Sequence, residues 1–235
     1  EFAADPDAEY SKIVEIDLAD LVPLAARPHS PDNIGAVRES AGIPVDQVCI
    51  GSCTNSSYRE LATVARILRG KVAHPRVSFI VTPGSRQVLE NLARDGYLAD
   101  LLKAGGRITE STCGFCIGGS HSPGSKGVSL RTSNRNFYGR SGTEDAEVYL
   151  VSPETAAAAV VTGIFTDPRD LGMEYPAVDM PETFRVDDCM ILEPAPPEKA
   201  ASVEIIRGPN IGDPPRNEPM PEHLRGEVTI KVGDK

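Results

Sequence analysis

Between residues 45 and 163, short apolar runs alternate with amphipathic segments that carry helix start and stop signals. This alternation constrains the fold most, because strands interleaved with helices build βαβ units and a parallel sheet. "VDQVCIGS" opens the pattern, with Val45, Val48, Cys49 and Ile50 forming a short buried strand that ends at Gly51. In "SSYRELATVARILRG", Ser56 or Ser57 caps a helix. Leu61, Val64, Ala65 and Leu68 share its apolar face, and Gly70 stops it. "RVSFIVTPG" is a second strand, and "SRQVLENLARDGYLADLLKAGG" is one helix broken near Gly96, or two. "RITE", "GVSLRTS" and "AEVYLVS" are further strands. "SPETAAAAVVTG" places Ser152 at a helix cap, Pro153 and Glu154 in the first turn, and Gly163 at the stop. The expected fold class is α/β: a three-layer α/β/α domain with a largely parallel sheet over residues 44–190, followed by a Pro-rich extended linker.

Residues 1–43 read as an N-terminal connecting arm with one short strand in "SKIVEIDLADLVPLAARP". Residues 191–235 read as the linker: eight prolines fall between Pro194 and Pro221, which excludes regular helix over that stretch. The closing "GEVTIKVGDK" has the pattern of a first strand. With no initiator Met, the chain is expected to be a piece of a longer protein. A chain of 235 residues can bury a core without covalent staples.

Several functions are disfavoured. No apolar run approaches the roughly 18 residues needed to span a bilayer, so no membrane role is expected. "EFAADPDAEY" lacks a basic region followed by an apolar one, unlike a signal peptide. A net charge of −10 argues against nucleic acid as a partner, because phosphate neutralisation needs clustered Lys and Arg. An anionic small molecule in a local basic pocket remains compatible with it. Five cysteines at irregular spacing do not form a secreted disulfide framework. They point to a reducing, cytoplasmic setting and to a metal or redox role.

Three loops, after residues 50, 110 and 132, each follow a strand, and sites in such sheets lie at strand carboxyl ends. Cys53 sits in the first, in "GSCTNSS"; Cys113 and Cys116 form C-x-x-C in the second, in "STCGFCIGGS". Three thiolates among glycines suit a soft-ligand metal centre, and three ligands rather than four leave an open position. From the residues alone, an iron–sulfur cluster and a zinc site are equally favoured. The zinc set would be Cys53, Cys113, Cys116 and His121. A thioredoxin-like pair is weaker, because the C-x-x-C does not open a helix after the first strand. Cys49 reads as a buried strand thiol and Cys189 as structural or incidental. The third loop, "TSNRNFYGRSG", gathers Asn134, Arg135, Asn136 and Arg140. Two arginines five apart make a clamp for a di- or tricarboxylate. Equally weighted is a solvated loop in which they pair with Glu144 and Asp145.

Taken together, "IGSCTNSS", "STCGFCIGG" and "SNRNFYGRSG…VYLVSPETAAAAVVTG" resemble the aconitase superfamily in order and approximate spacing, over about residues 45–165. The resemblance implies that Cys53, Cys113 and Cys116 hold a 4Fe–4S cluster. It implies that Asn134 lies near cluster and substrate, and that Arg135 and Arg140 bind substrate carboxylates. The implied reaction is reversible dehydration and rehydration: citrate and isocitrate through cis-aconitate as the first choice, homoaconitase or isopropylmalate dehydratase as the alternative. The long Pro-rich tail favours the first choice. A non-catalytic zinc-stabilised interaction module is the third possibility. The family's general base, a serine on a swivelling C-terminal domain, has no counterpart in these residues, and His29, His74, His121 and His223 match none of its N-terminal site groups. Catalytic residues are therefore expected outside this chain. Its partners are expected to be a tricarboxylate and the missing N-terminal and swivelling segments of the same protein.

Overall fold

A computed structural model describes residues 4–204, 206–217, 219–220, 222–223, 225–227 and 229–230. The chain divides into two compact units, Glu1–Asp187 and Asp188–Lys235. In the second, the only regular element among the described residues is one helical turn, Pro197–Ala200. Much of the strand expected in residues 226–235 lies outside the described residues.

The first unit is an α/β fold on a seven-stranded, mostly parallel sheet. Its strands are β1 (Leu24–Ala26), β2 (Ile34–Ala36), β3 (Gln47–Gly51), β4 (Ser78–Thr82), β5 (Arg107–Ile108), β6 (Val128–Arg131) and β7 (Glu147–Leu150). The spatial order is β2-β1-β7-β6-β3-β4-β5. The five strands from β7 to β5 run parallel, while β1 pairs antiparallel with both β7 and β2. Residues 24–36 thus contribute two sheet strands where the sequence suggests one. Their short runs, "LAA" and "IGA", are too brief and small to show strand periodicity.

Three helices connect strands, α1 (Tyr58–Leu68), α2 (Arg86–Arg94) and α3 (Tyr97–Lys103), and α4 (Pro153–Thr162) follows β7. Gly96, at φ 83°, separates α2 from α3, so the long segment is two helices. Ser57 and Glu60 close a capping box on α1, and the Ser152 side chain caps α4 at Thr155 N–H. α1 packs against α2, α3 and α4, which puts all four on one face of the sheet. Alternate strand residues face them: Val48 and Ile50, Phe79 and Val81, Leu130, and Tyr149 join the core with Leu61, Val64, Leu68 and the alanines of α4. Each large side chain so buried contributes roughly 1.5–3 kcal/mol.

The opposite face is covered differently. The chain passes from β3 to β4 to β5 on the helical side, then returns across the sheet to β6 and on to β7. Right-handed crossovers put a reversed connection on the other face. There the layer consists of two irregular connections, residues 109–127 and 132–146, rather than helices. Phe115 and Cys116 of the first pack on Cys49 and Ile80. Gly118 meets the second so closely that a Cβ would lie 2.6 Å from Gly142 N. No helix among the described residues is long and apolar enough to cross a membrane.

Leu61→Ala removes a fully buried side chain from the helical face and is expected to cost about 2–5 kcal/mol. Ser152→Ala removes the α4 cap at about 1 kcal/mol. Urea unfolding of both variants checks the order of the two costs; the reverse order contradicts this core.

Candidate metal and carboxylate site

The reversal of direction at β3 sets the position of the site. The connection leaving β3 goes to one face and that leaving β6, its neighbour, goes to the other, and sites in open α/β sheets are expected at the strands' carboxyl ends where this happens. Cys53 lies in the loop after β3, and Asn134, Arg135 and Arg140 lie in the loop after β6. The C-x-x-C loop, on its way from β5 to β6, crosses the same region.

Local chemistry fixes each loop. Gly51 has φ 113°, and a Cβ there would sit 1.9 Å from the Thr82 carbonyl oxygen, so only glycine lets β3 end this close to β4. Ser52 follows with φ 70°, and Cys53 emerges exposed. Thr132 ties this loop to the one after β6: Gly51 N–H donates to its Oγ1 at 2.8 Å, and Asn55 Nδ2 donates to its carbonyl at 2.6 Å. Cys113 is exposed at the N-terminus of a 3-10 turn, Gly114–Ile117, in which Cys116 is buried. Cys116 N–H donates to Cys113 O at 2.7 Å, which holds the pair in a tight turn.

Beneath this turn lies Arg131, fully buried at the end of β6. Its Nη1 donates to Phe115 O, its Nη2 to His121 O at 3.0 Å and to Gln47 Oε1 at 2.8 Å, and its Nε to Ser129 Oγ at 2.9 Å. Burial pulls its pKa down, opposed by the Cys49 and Cys116 thiols. Burial likewise pushes the Cys49 thiol up to about 11, against the pull of Arg131 and Arg107. Cys49 is therefore an unreactive core thiol, as its strand position suggests.

The arginine loop is exposed at Asn134, Arg135, Phe137 and Tyr138, and neither of its arginines makes an ion pair with Glu144 or Asp145 among the described residues. Asp145 accepts from Ser125 Oγ and from Lys126 N–H at 3.3 Å. Arg135 Nη1 donates to Asn134 Oδ1 at 3.1 Å, both exposed. Arg140 Nε is buried without a hydrogen-bond partner, as are the hydroxyls of Ser52, Ser133 and Ser141 on the same loops. Such orphan groups are unusual; Asn136 Oδ1 on this loop shares that state, as do Arg27 Nε and Arg66 Nε elsewhere. Asn136 is structural: fully buried, its Nδ2 donates to Arg27 O at 2.9 Å and Val148 O at 3.0 Å.

Among the described residues, no three His, Cys, Asp or Glu side chains form a group that could hold a metal ion. The structure thus brings the cysteine-bearing loops to one edge without closing the sulfurs around a common point. The donor set still fits a soft metal centre, being three thiols beside unpartnered hydroxyls, with no carboxylate among them. For the zinc set with His121, burial first, and then the cations Arg107 and Arg131, push the imidazole below its ordinary range, toward the neutral form that a metal would take, so the donor chemistry fits zinc as well. Two clefts elsewhere, one of about 430 Å³ beside Glu154 and Tyr175 and one beside Tyr58 and Phe184, include none of the predicted site residues.

Sequence reasoning missed Arg131, Gln47 and Thr132. No local signal marked Arg131: it closes "GVSLR" like any strand end, and it is the 109–127 connection laid over it that buries it.

The model of the aconitase family (aconitate hydratase) matches residues 36–163, more than half of the chain. The chain belongs to the aconitase family. The homoaconitase large subunit of Thermus thermophilus is 49% identical over 173 residues, 72% of this chain and 41% of that protein. The 3-isopropylmalate dehydratase large subunit 1 of Methanopyrus kandleri is 47% identical over 166 residues, 70% of this chain and 40% of that protein. The corresponding large subunit of Caldanaerobacter subterraneus is 41% identical over 171 residues. The chain spans about two fifths of the length of these relatives. Their names match the alternative in the sequence reading rather than citrate–isocitrate interconversion. The Pro-rich tail that favoured citrate lies beyond the matched residues.

With Cys49 raised to about 11, roughly 100-fold less of it is thiolate than in an unperturbed thiol. Iodoacetamide at about pH 8 is expected to label exposed Cys53 and Cys113 in the folded, metal-free chain and to spare Cys49. Peptide mass mapping reads the outcome; rapid Cys49 labelling contradicts its place in the core.

Proposed function

We propose that residues 1–235 form the cluster-holding part of a hydro-lyase that reversibly dehydrates a 2-hydroxy acid bearing two or more carboxylates. The relatives' names favour a substrate of the 3-isopropylmalate or homoaconitate kind over citrate. They also favour a separate small subunit as the partner that completes the site. The observation that carries the reading is the buried, unpartnered Arg140 Nε, on the loop that packs against the C-x-x-C loop at Gly118.

Cys53, Cys113 and Cys116 would hold a 4Fe–4S cluster. When bound, that group supplies a Lewis-acidic iron with an open position for a leaving hydroxyl. The chain's own residues act around it. Arg140 and Arg135 donate to substrate carboxylates, offsetting a di- or trianion and the charge that develops on proton removal. Asn134 Oδ1 accepts from Arg135 and holds that guanidinium in place. The buried hydroxyls of Ser52, Ser133 and Ser141 have no hydrogen-bond partner of their own and would donate to negative charge bound beside these loops. The proton is taken by a base outside these residues.

The test is binding to anaerobically reconstituted chain, read by perturbation of the cluster's absorption and electron paramagnetic resonance. 3-Isopropylmalate or homoaconitate is expected to perturb the spectrum at lower concentration than citrate. Arg140→Lys, with unchanged circular dichroism, is expected to weaken that binding about 10–100-fold, the loss of one charge-assisted hydrogen bond. Equal binding by Arg140→Lys and wild type, or no perturbation by any of these acids, sinks the reading.

A further inference from the structure

Arg131 is a buried cation whose acceptors are all neutral. It lies on the sheet face opposite the helices, with Cys49 as its register neighbour on β3 and Leu150 on β7. Its guanidinium bonds Ser129 Oγ, Gln47 Oε1 and the carbonyls of Phe115 and His121. The Phe115 ring lies over it, with its centroid 5.5 Å from Cζ. No carboxylate pairs with it among the described residues. Removing a guanidinium from water is costly unless an anion offsets the charge, and neutral hydrogen bonds replace only part of its hydration.

The two carbonyls that accept from it bracket Cys116 in the chain. Cys116 and Phe115 pack in one buried layer with Cys49 and Ile80, the β3 and β4 residues beside Arg131. Any anionic group held on the C-x-x-C loop therefore lies next to a cation that the protein has buried and left without a carboxylate.

We propose that Arg131 is the buried counter-cation of the thiolate-bound cluster, and also the clasp that positions the C-x-x-C loop on the sheet. The proposal rests on the cluster reading above. Arg131 is a positioning residue: it reaches the bound group through the loop and through its charge, not by ligation.

The two roles separate experimentally. Arg131→Met removes both clasp and charge. Arg131→Lys keeps the charge and loses most of the clasp. Gln47→Glu keeps the guanidinium and gives it a carboxylate partner at the position now 2.8 Å away, and it also loses the Gln47 Nε2 donation to His121 O at 3.0 Å, a loss that Gln47→Met shares without the added charge and so controls for. Each chain is reconstituted anaerobically and its fold checked by circular dichroism. The cluster's reduction midpoint and its loss of iron to a chelator are then measured. A nearby cation favours the reduced, more negative cluster. Arg131→Met and Gln47→Glu are therefore expected to shift the midpoint to more negative potential and to weaken iron retention about 10–100-fold. Arg131→Lys is expected to hold the wild-type midpoint while unfolding at lower temperature. If folded Gln47→Glu keeps the wild-type midpoint and iron retention, Arg131 is a clasp alone and the counter-cation is overturned. That comparison decides the matter even if Arg131→Met fails to fold. If wild-type chain takes up no iron and sulfide, the cluster reading falls and this proposal with it. A cluster that assembles but does not respond to Gln47→Glu overturns only the counter-cation.

Discussion

Parallel strands need right-handed crossovers, and in this sheet the chain reverses direction between β5 and β6. Much else follows from that reversal. It sends the four helices to one face and two irregular connections to the other. It makes β3 and β6 neighbours whose outgoing connections go to opposite faces, with Thr132 tying their first residues together. It also forces the 109–127 connection to travel back over β4 and β3, where Phe115 and Cys116 pack on Cys49 and Ile80. The chemistry-bearing loops are together because the sheet has a switch point there, not because they are close in sequence.

The face that carries those loops is unusual in its polarity. The helical side is a conventional apolar core, built from alternate residues of every central strand. The other side holds Gln47, Ser129 and Arg131 in a buried hydrogen-bonded network topped by Phe115. A network of this kind fixes one arrangement of a glycine-rich loop that apolar contact alone would leave less specified. Its cost is a desolvated cation, which an anionic group bound at the loop would offset under the counter-cation proposal.

Much of this was legible in the sequence. Ser152 and Gly163 marked helix ends that the structure bears out, Ser57 is the cap of the two serines offered, and Gly96 makes the long segment two helices rather than one broken helix. The apolar runs at 48–50 and 79–81 gave the central strands, and the three loops were expected at one sheet edge. What was not legible depends on contacts between distant residues. β1 and β2 are three-residue strands that exist because β7 offers an edge, so neither carries a pattern of its own. The non-helical second face follows from strand order, which local periodicity does not contain. Asn136 looked like Asn134, two residues away, yet one is buried on Arg27 O and Val148 O and the other is exposed. Arg131 looked like the end of a strand, and its role emerged only when the 109–127 connection was placed over it. Substrate choice had been inferred from a tail outside the matched family range, and the relatives' names favour a different acid.

The central claim is that Cys53, Cys113 and Cys116 serve a three-thiolate iron–sulfur cluster. The most direct measurement is metal and acid-labile sulfide analysis of the chain purified and handled without oxygen, beside the Cys53→Ser, Cys113→Ser and Cys116→Ser variants. The account predicts about four irons and four sulfides per chain, with each substitution abolishing stable uptake of both. A colourless chain that carries about one zinc and no sulfide, and loses the zinc on His121→Ala, contradicts it.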